Sequence, residues 1–472
     1  MLRVCVRTAF PMAAVVLGAA ACLPGIGAAQ EGLAAGNAAG RTFAVKQDGT
    51  GDFTTIQEAV EAAMPGDVVE VHAGVYSTPH GRWAGRHGRD DWKVVFRTVR
   101  PGTPAVPITI RARYAARQPL HGGDWARGDP GKETVLEGRP ASGERLPACA
   151  LLLHSYVVLD GFVVRGGDRY GVYASRAGAS RETAARGLWV RNCKFLAGGA
   201  SPTGRELLGE NYGSLTLSGW AVPDCCVQNN YFETGYCTAL DVAGGTNAVV
   251  EYNEFRDWNN YAIYAHGGAH ANDGLVVRYN YFHPRQRKPL MRLRDSVGYV
   301  VHHNVITGGA GIYLDDHCEE HPDFPNDCYA AHHNTIVLEP GSHYAVGYQA
   351  ATHPEGKERA TACNIIAGAP RVAVNLSPWG KPSHNVHITG NVVAPGIELI
   401  GGKEQGLKSS SWIEEDNVIA DPELDADFRS HAFDNDKHGA NLDVRAIPYR
   451  KFNGNQYPIY NPYRGTITTE EP

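Results

Sequence analysis

From about residue 189 onward the chain repeats one short phrase: alternating apolar positions, an asparagine, then more apolar or aromatic residues. It reads WVRNCKF at Asn192, VQNNYF at Asn230, EYNEF at Asn253, RYNYF at Asn280 and VHHNVI at Asn304. AHHNTI, ACNII, ITGNVV and EEDNVI follow at Asn334, Asn364, Asn391 and Asn417. From Asn230 the intervals are 23, 27, 24, 30, 30, 27 and 26 residues. Alternation with a period of two marks strands, and self-similarity at roughly 20 to 50 residues marks a solenoid. The pattern therefore predicts an all-β solenoid with the asparagine at one corner. Asparagine tolerates the left-handed backbone of a turn, and stacked amides can bond from coil to coil.

The pattern changes before and after this array. In TFAVKQDGTGDFTTIQEAVEAAMPGDVVEVHAGVY, Phe43 to Val45 and Val68 to Val71 read as strands. Between them Thr54 or Thr55 caps a short helix whose Ile56, Ala59, Val60 and Ala63 share one face. A helix laid over the first coil protects an edge that would otherwise template aggregation. The helix body is expected over 42–430, with insertions at 77–103, 113–148, 197–213 and 318–333 and an irregular tail at 431–472.

Composition adds location more than chemistry. Arg3 and Arg7 precede the apolar run 9–21, too short to cross a bilayer, and Ala28-Ala29 offers a cleavage site. Residues 1–29 are thus read as a signal peptide and 30–41 as a linker, giving a secreted or periplasmic protein, with lipidation at Cys22 as the alternative. No other segment reads as a membrane span, and a net charge of −6 gives no sign of a nucleic-acid partner. A monomer is expected. Without Cys5 and Cys22 an even number of cysteines remains, which permits disulfides in an exported chain; Cys318 and Cys328 bracket one loop and form the expected pair. Cys193 and Cys363 read as small apolar fillers.

Three stretches carry a family resemblance. DFTTIQEAVEAAMPGDVVEVHAGVY resembles the N-terminal cap of right-handed parallel β-helix proteins, the superfamily of pectate lyases, pectinesterases and many glycoside hydrolases. PAVPITIRA (104–112) resembles their second coil, and DNVIADPELDADFR (416–429) their ending. The resemblance covers roughly 42–430 and implies a single-domain, single-stranded right-handed parallel β-helix acting on polysaccharide. Chemistry still has to be argued from the residues.

Alignment of the strand after each asparagine predicts two faces, since side chains alternate. Leu240/Val242, Ile263/Ala265, Met291/Leu293, Ile312/Leu314, Ala345/Gly347 and Val372/Val374 read as interior. The exterior columns are then Thr216, Asp241, Tyr264, Arg292, Tyr313 and Val346, and Ser218, Ala243, His266, Arg294, Asp315 and Tyr348. Charged and aromatic residues concentrate in the middle coils, as a substrate groove requires. Glycoside hydrolysis needs two carboxyl groups, and Asp315-Asp316 is the pair on this face; GIYLDD resembles a motif of β-helix glycoside hydrolases. The pair also resembles the Asp-Asp of polygalacturonases, although the rest of that family's motifs are missing at their places. Asp315, Asp316, Arg294 and His266 are the expected catalytic residues. Asp241, Tyr264, Lys288, Arg292, Tyr313, His317 and Tyr348 are expected to bind substrate. The rival reading is a polysaccharide lyase, for which the basic RKPLMRLR (287–294) suits an acidic polymer. A third is a non-catalytic carbohydrate-binding β-helix. No metal or cofactor is expected, Ca²⁺ entering only with the lyase. His302, His303, His332 and His333 read as turn packing.

Overall fold

An asparagine with alternating neighbours can close a corner only if the chain reverses beside it. A left-handed residue supplies that bend in nearly every coil. In the computed structural model this residue is the one before the asparagine: Asn229, Tyr252, Tyr279, His303, His333 and Cys363 have φ between 51° and 58°. The asparagines themselves, from Asn230 to Asn417, form the ladder. Oδ1 of Asn253 accepts from the backbone N–H of Asn230 at 2.9 Å and from its Nδ2 at 3.0 Å. Nδ2 of Asn253 in turn reaches Val227 O at 2.9 Å and Oδ1 of Asn280 at 3.0 Å. The same exchange continues through Asn304, Asn334, Asn364 and Asn391 to Asn417. Burying these amides is sustainable because each is bonded on both sides.

Asn192 is not part of this ladder. It has φ 55° and accepts from Nδ2 of Asn229, so it belongs to the left-handed column. Cys193 holds the ladder position, its N–H donating to Oδ1 of Asn230 at 3.0 Å. A thiol cannot pass the amide chain on, so the ladder starts at Asn230.

The structure describes residues 40–83, 92–118, 126–127, 131–139, 145–175, 185–196, 213–218, 223–233, 238–243, 247–266, 274–284, 290–294, 299–309, 311–315, 329–349, 359–378, 380–426, 428–434, 437–439, 449–452 and 455–458. The predicted signal peptide, Cys22, nearly all of the linker, Lys288, Asp316, His317, Cys318 and Cys328 lie outside these residues. Among the described residues no helix is long and apolar enough to cross a membrane.

Each coil gives one strand to each of three parallel sheets, of 13, 12 and 11 strands among the described residues. In one coil these are Val276–Arg278, Tyr281–Phe282 and Met291–Arg294. The chain is a single-stranded parallel β-helix. Inward side chains stack in register: the rings of Phe195, Phe232, Phe255 and Phe282 follow at 4.8, 4.7 and 4.7 Å with planes within 7°. Ile306, Ile336, Ile366 and Val393 continue the stack. The offset is the sheet spacing itself.

The cap forms as its sequence dictates. Helix Ile56–Ala62 begins at Thr55, whose Oγ1 accepts from Glu58 N–H at 3.2 Å. Ile56, Ala59, Val60 and Ala63 face the core. The stretches 77–103 and 113–148 are more than insertions: Phe96–Arg97 and Thr134–Glu137 join the third and second sheets. Strand Tyr329–His332 likewise lies within the stretch 318–333. A second helix, Glu404–Ser409, was not foreseen, because Leu407 is the lone large apolar residue in it. The tail, expected to be irregular, contains a hairpin of Tyr449–Phe452 with Asn455–Pro458. Cys149, Cys193, Cys225 and Cys363 are free thiols. Cys193 and Cys225 are fully buried fillers whose acidity burial suppresses, to a pKa of about 12.

Candidate active site

The third sheet carries the charged and aromatic columns. Its register pairs Thr216 with Asp241, Asp241 with Tyr264, Tyr264 with Arg292, and Arg292 with Tyr313. These residues alternate with buried Leu240, Val242, Ile263, Ala265, Met291, Leu293, Ile312 and Leu314, so the core fixes which way they face. His266 directly follows strand Tyr261–Ala265, and its N–H donates to Val242 O at 3.0 Å. Arg294 is in register with Asp315. Its carbonyl accepts the hydroxyl of buried Tyr299, which ties down the strand end.

At the centre, Nε2 of His266 lies 3.0 Å from Oδ1 of Asp241, with 21% of the imidazole side chain exposed but 3% of the carboxylate's. Burial pushes the Asp241 carboxyl above the usual carboxylate range, and the His266 contact offsets only part of that. The rings of Tyr264 and His266 stack at 4.5 Å. Nη1 of Arg294 donates to the Tyr264 hydroxyl at 3.3 Å. Burial raises the Tyr264 phenol, against the pull of Arg294. The Arg292 guanidinium sits 5.6 Å from the Tyr313 ring centre. A carboxylate-oriented imidazole can exchange a proton, and two arginines on one face can hold an anion.

The structure thus brings together Asp241, Tyr264, His266, Arg292, Arg294 and Tyr313. The Asp315 backbone stands beside Arg294, and its side chain lies outside the description. Tyr348 is displaced from the face. In strand Tyr344–Gln349 the pairing is Val346 with Ile312 and Tyr348 with Leu314, one residue away from the expected register. Tyr348 is 2% exposed and its hydroxyl meets Oγ1 of Thr361 at 2.7 Å. The reason is volume: Val346 and Tyr348 fill a core that Ala345 and Gly347 would leave hollow. Gly347 then faces outward, and a Cβ there would lie 2.6 Å from the Tyr344 ring. Tyr344 therefore supplies the outer aromatic of this coil, 6.3 Å from Tyr313. Comparing the volumes of the two possible alternations would have revealed this. The contact between Asp241 and His266 was also missed, because it runs diagonally between neighbouring strands and straight columns do not show it.

No family model matches the chain, and no curated protein matches it. Among solved structures, it is similar to an alginate lyase from Paenibacillus at 13% identity and TM-score 0.41, covering 77% of this chain and 98% of that one. A lacto-N-biosidase from Eubacterium ramulus matches at 11% identity and TM-score 0.45, covering 80% and 68%. An exopolygalacturonase from Yersinia enterocolitica matches at 12% identity and TM-score 0.39, covering 80% and 78%. The assignment of the parallel β-helix rests on the three sheets and their register.

Proposed function

We propose that the outer face of the third sheet binds an acidic polysaccharide and cleaves it by β-elimination. The observation that carries this is the chain Asp241–His266–Tyr264–Arg294, with Arg292 alongside. Arg292 and Arg294 neutralise the carboxylate of a uronic acid, which makes its C5 proton removable. His266, whose Nε2 stands 3.0 Å from Oδ1 of Asp241, takes that proton at Nδ1. The C5–H electron pair forms the C4–C5 double bond as the C4–O4 bond breaks, and the Tyr264 hydroxyl gives its proton to the departing O4. Aromatic Tyr313 and Tyr344 offer rings for sugar stacking. An export signal at 1–29 accords with an extracellular polymer, and residues 42–430 act as one catalytic body.

A second reading, glycoside hydrolysis, is supported by the register of Arg294 with Asp315. Asp241 cannot be the partner carboxylate. It lies three strands from Asp315, about 14 Å at sheet spacing, beyond the roughly 5 to 9.5 Å that flank a glycosidic bond. Hydrolysis would need Asp315 with Asp316. Product masses separate the two: a cut by hydrolysis adds a water, and a cut by elimination does not. Oligosaccharides that have gained water would overturn the lyase reading.

A further inference from the structure

A second cluster lies on a different sheet from the groove. Strands Tyr299–His302 and Tyr329–His332 pair in register, which places His302 beside His332. Their rings stack at 5.0 Å with planes 11° apart. His303 and His333 follow, each left-handed at φ 52° and 51°, and stack at 5.1 Å and 4°. Within each coil the two rings meet edge to face, with Nδ1 of His302 2.7 Å from Nδ1 of His303 and Nδ1 of His332 3.0 Å from Nδ1 of His333. One nitrogen of His302, of His303 and of His332 lie within 4.8 Å of one another, and all three residues are partly exposed.

We propose that His302, His303 and His332 form a site for a divalent transition ion of the zinc class, with water at the fourth position. Two nitrogens on one tetrahedral zinc stand about 3.3 Å apart, given bonds of roughly 2.0 to 2.1 Å. The His302–His303 contact needs to open by only about 0.6 Å on that count. A close Nδ1 pair also holds one proton between two nitrogens, and the ion replaces that proton. Other groups face the cluster. Arg278 lies beside His302 but is spoken for by Glu251, 2.7 Å away. His438 approaches His333 from the tail, anchored by Nδ1 on Gly390 O at 2.9 Å. The ion would clip together the corners that follow Met291–Arg294 and Ile312–Asp315, the two groove strands with Arg292, Arg294 and Tyr313. Nothing in this depends on what the groove does.

The test uses variants that the fold already tolerates at these positions. Asn229 occupies the His303 position and Gln228 the His302 position, two coils before Tyr279 and Arg278 do. Tag-free full chain, His303→Asn and His302→Gln are stripped with chelator and checked for folding by circular dichroism. They are then titrated with Zn²⁺ for stoichiometry and thermal shift, and with Co²⁺ for ligand-field absorption. The proposal expects one equivalent of Zn²⁺ on the wild type, a rise in Tm, Co²⁺ bands of tetrahedral intensity, and loss of all three in both variants. It is overturned if the wild type retains no Zn²⁺, or if the folded variants bind as the wild type does. Retention of the bound equivalent by His266→Gln separates this site from the groove, and its loss there would also overturn the assignment.

Discussion

His266 lies over Asp241 with 3.0 Å between Nε2 and Oδ1, the imidazole reaching solvent and the carboxylate shut beneath it. A buried acid set against a more exposed base is an arrangement for orienting that base. Replacing His266 with Gln keeps the size and a hydrogen-bonding end but removes the proton acceptor. Cleavage should fall by about 100-fold or more, the usual scale of general-base loss, while the polysaccharide dissociation constant moves much less. Initial rates and isothermal titration on the same preparations measure the two effects.

Asp241 gives a pH-dependent stability prediction of opposite sign to the usual salt bridge. Burial raises its carboxyl above the ordinary 3.8, so the folded state holds the proton more tightly than the unfolded state. Its contribution is most favourable at low pH and is lost as pH rises from 3.8 through the folded-state value. Asp241→Asn, which keeps the shape and needs no ionisation, should therefore unfold at a higher temperature than the wild type at neutral pH. The gap should close as pH drops below 3.8. Its cleavage rate should fall, since His266 loses its orienting charge. Thermal melts across pH, with activity measured alongside, check both.

In the proposed mechanism Arg294 holds the glycan, and it also donates to the Tyr264 hydroxyl. Arg294→Gln should weaken binding of an acidic polysaccharide about ten-fold or more, the scale of one charged hydrogen bond. Arg294→Lys keeps the charge and loses the planar fork, so it should recover binding only in part. Wild-type binding should weaken with added salt. Affinity measured at several ionic strengths tests this.

Much of the fold was legible because repetition amplifies weak signals. One asparagine proves little, but the same asparagine between alternating apolar residues in coil after coil indicates stacked strands. The outward columns followed wherever the core residues were clearly larger than their outward neighbours, as with Ile263 and Met291. They failed at Tyr344–Gln349, where both alternations are apolar and only core volume chooses between them. The phase of the ladder slipped at Asn192 for a related reason: adjacent positions can both accept asparagine, and the hydrogen bonds distinguish them. The contact between His266 and Asp241 depends on a diagonal between strands, which column reading ignores.

The ladder itself can be tested at Asn280. Its side chain bonds Asn253 N–H and Nδ2, Val250 O and Asn304 Oδ1. Asn280→Ala leaves several buried groups without partners, each costing about 1 to 3 kcal/mol. The urea midpoint should fall accordingly, with the loss larger than for Tyr348→Phe. Tyr348→Phe removes one hydroxyl bond to Thr361 and should cost about 1 kcal/mol while leaving glycan affinity unchanged. A drop in affinity would return Tyr348 to the groove.

In the proposed reaction His266 drives elimination at a uronic acid held by Arg292 and Arg294. The most direct measurement follows the ultraviolet absorbance of the unsaturated product and the release of reducing ends together, in wild type and His266→Gln, on uronate polymers. Both signals should rise in step for the wild type, and both should vanish in the variant. Reducing ends released by the wild type without the unsaturated chromophore, or an undiminished chromophore in His266→Gln, would contradict this reaction.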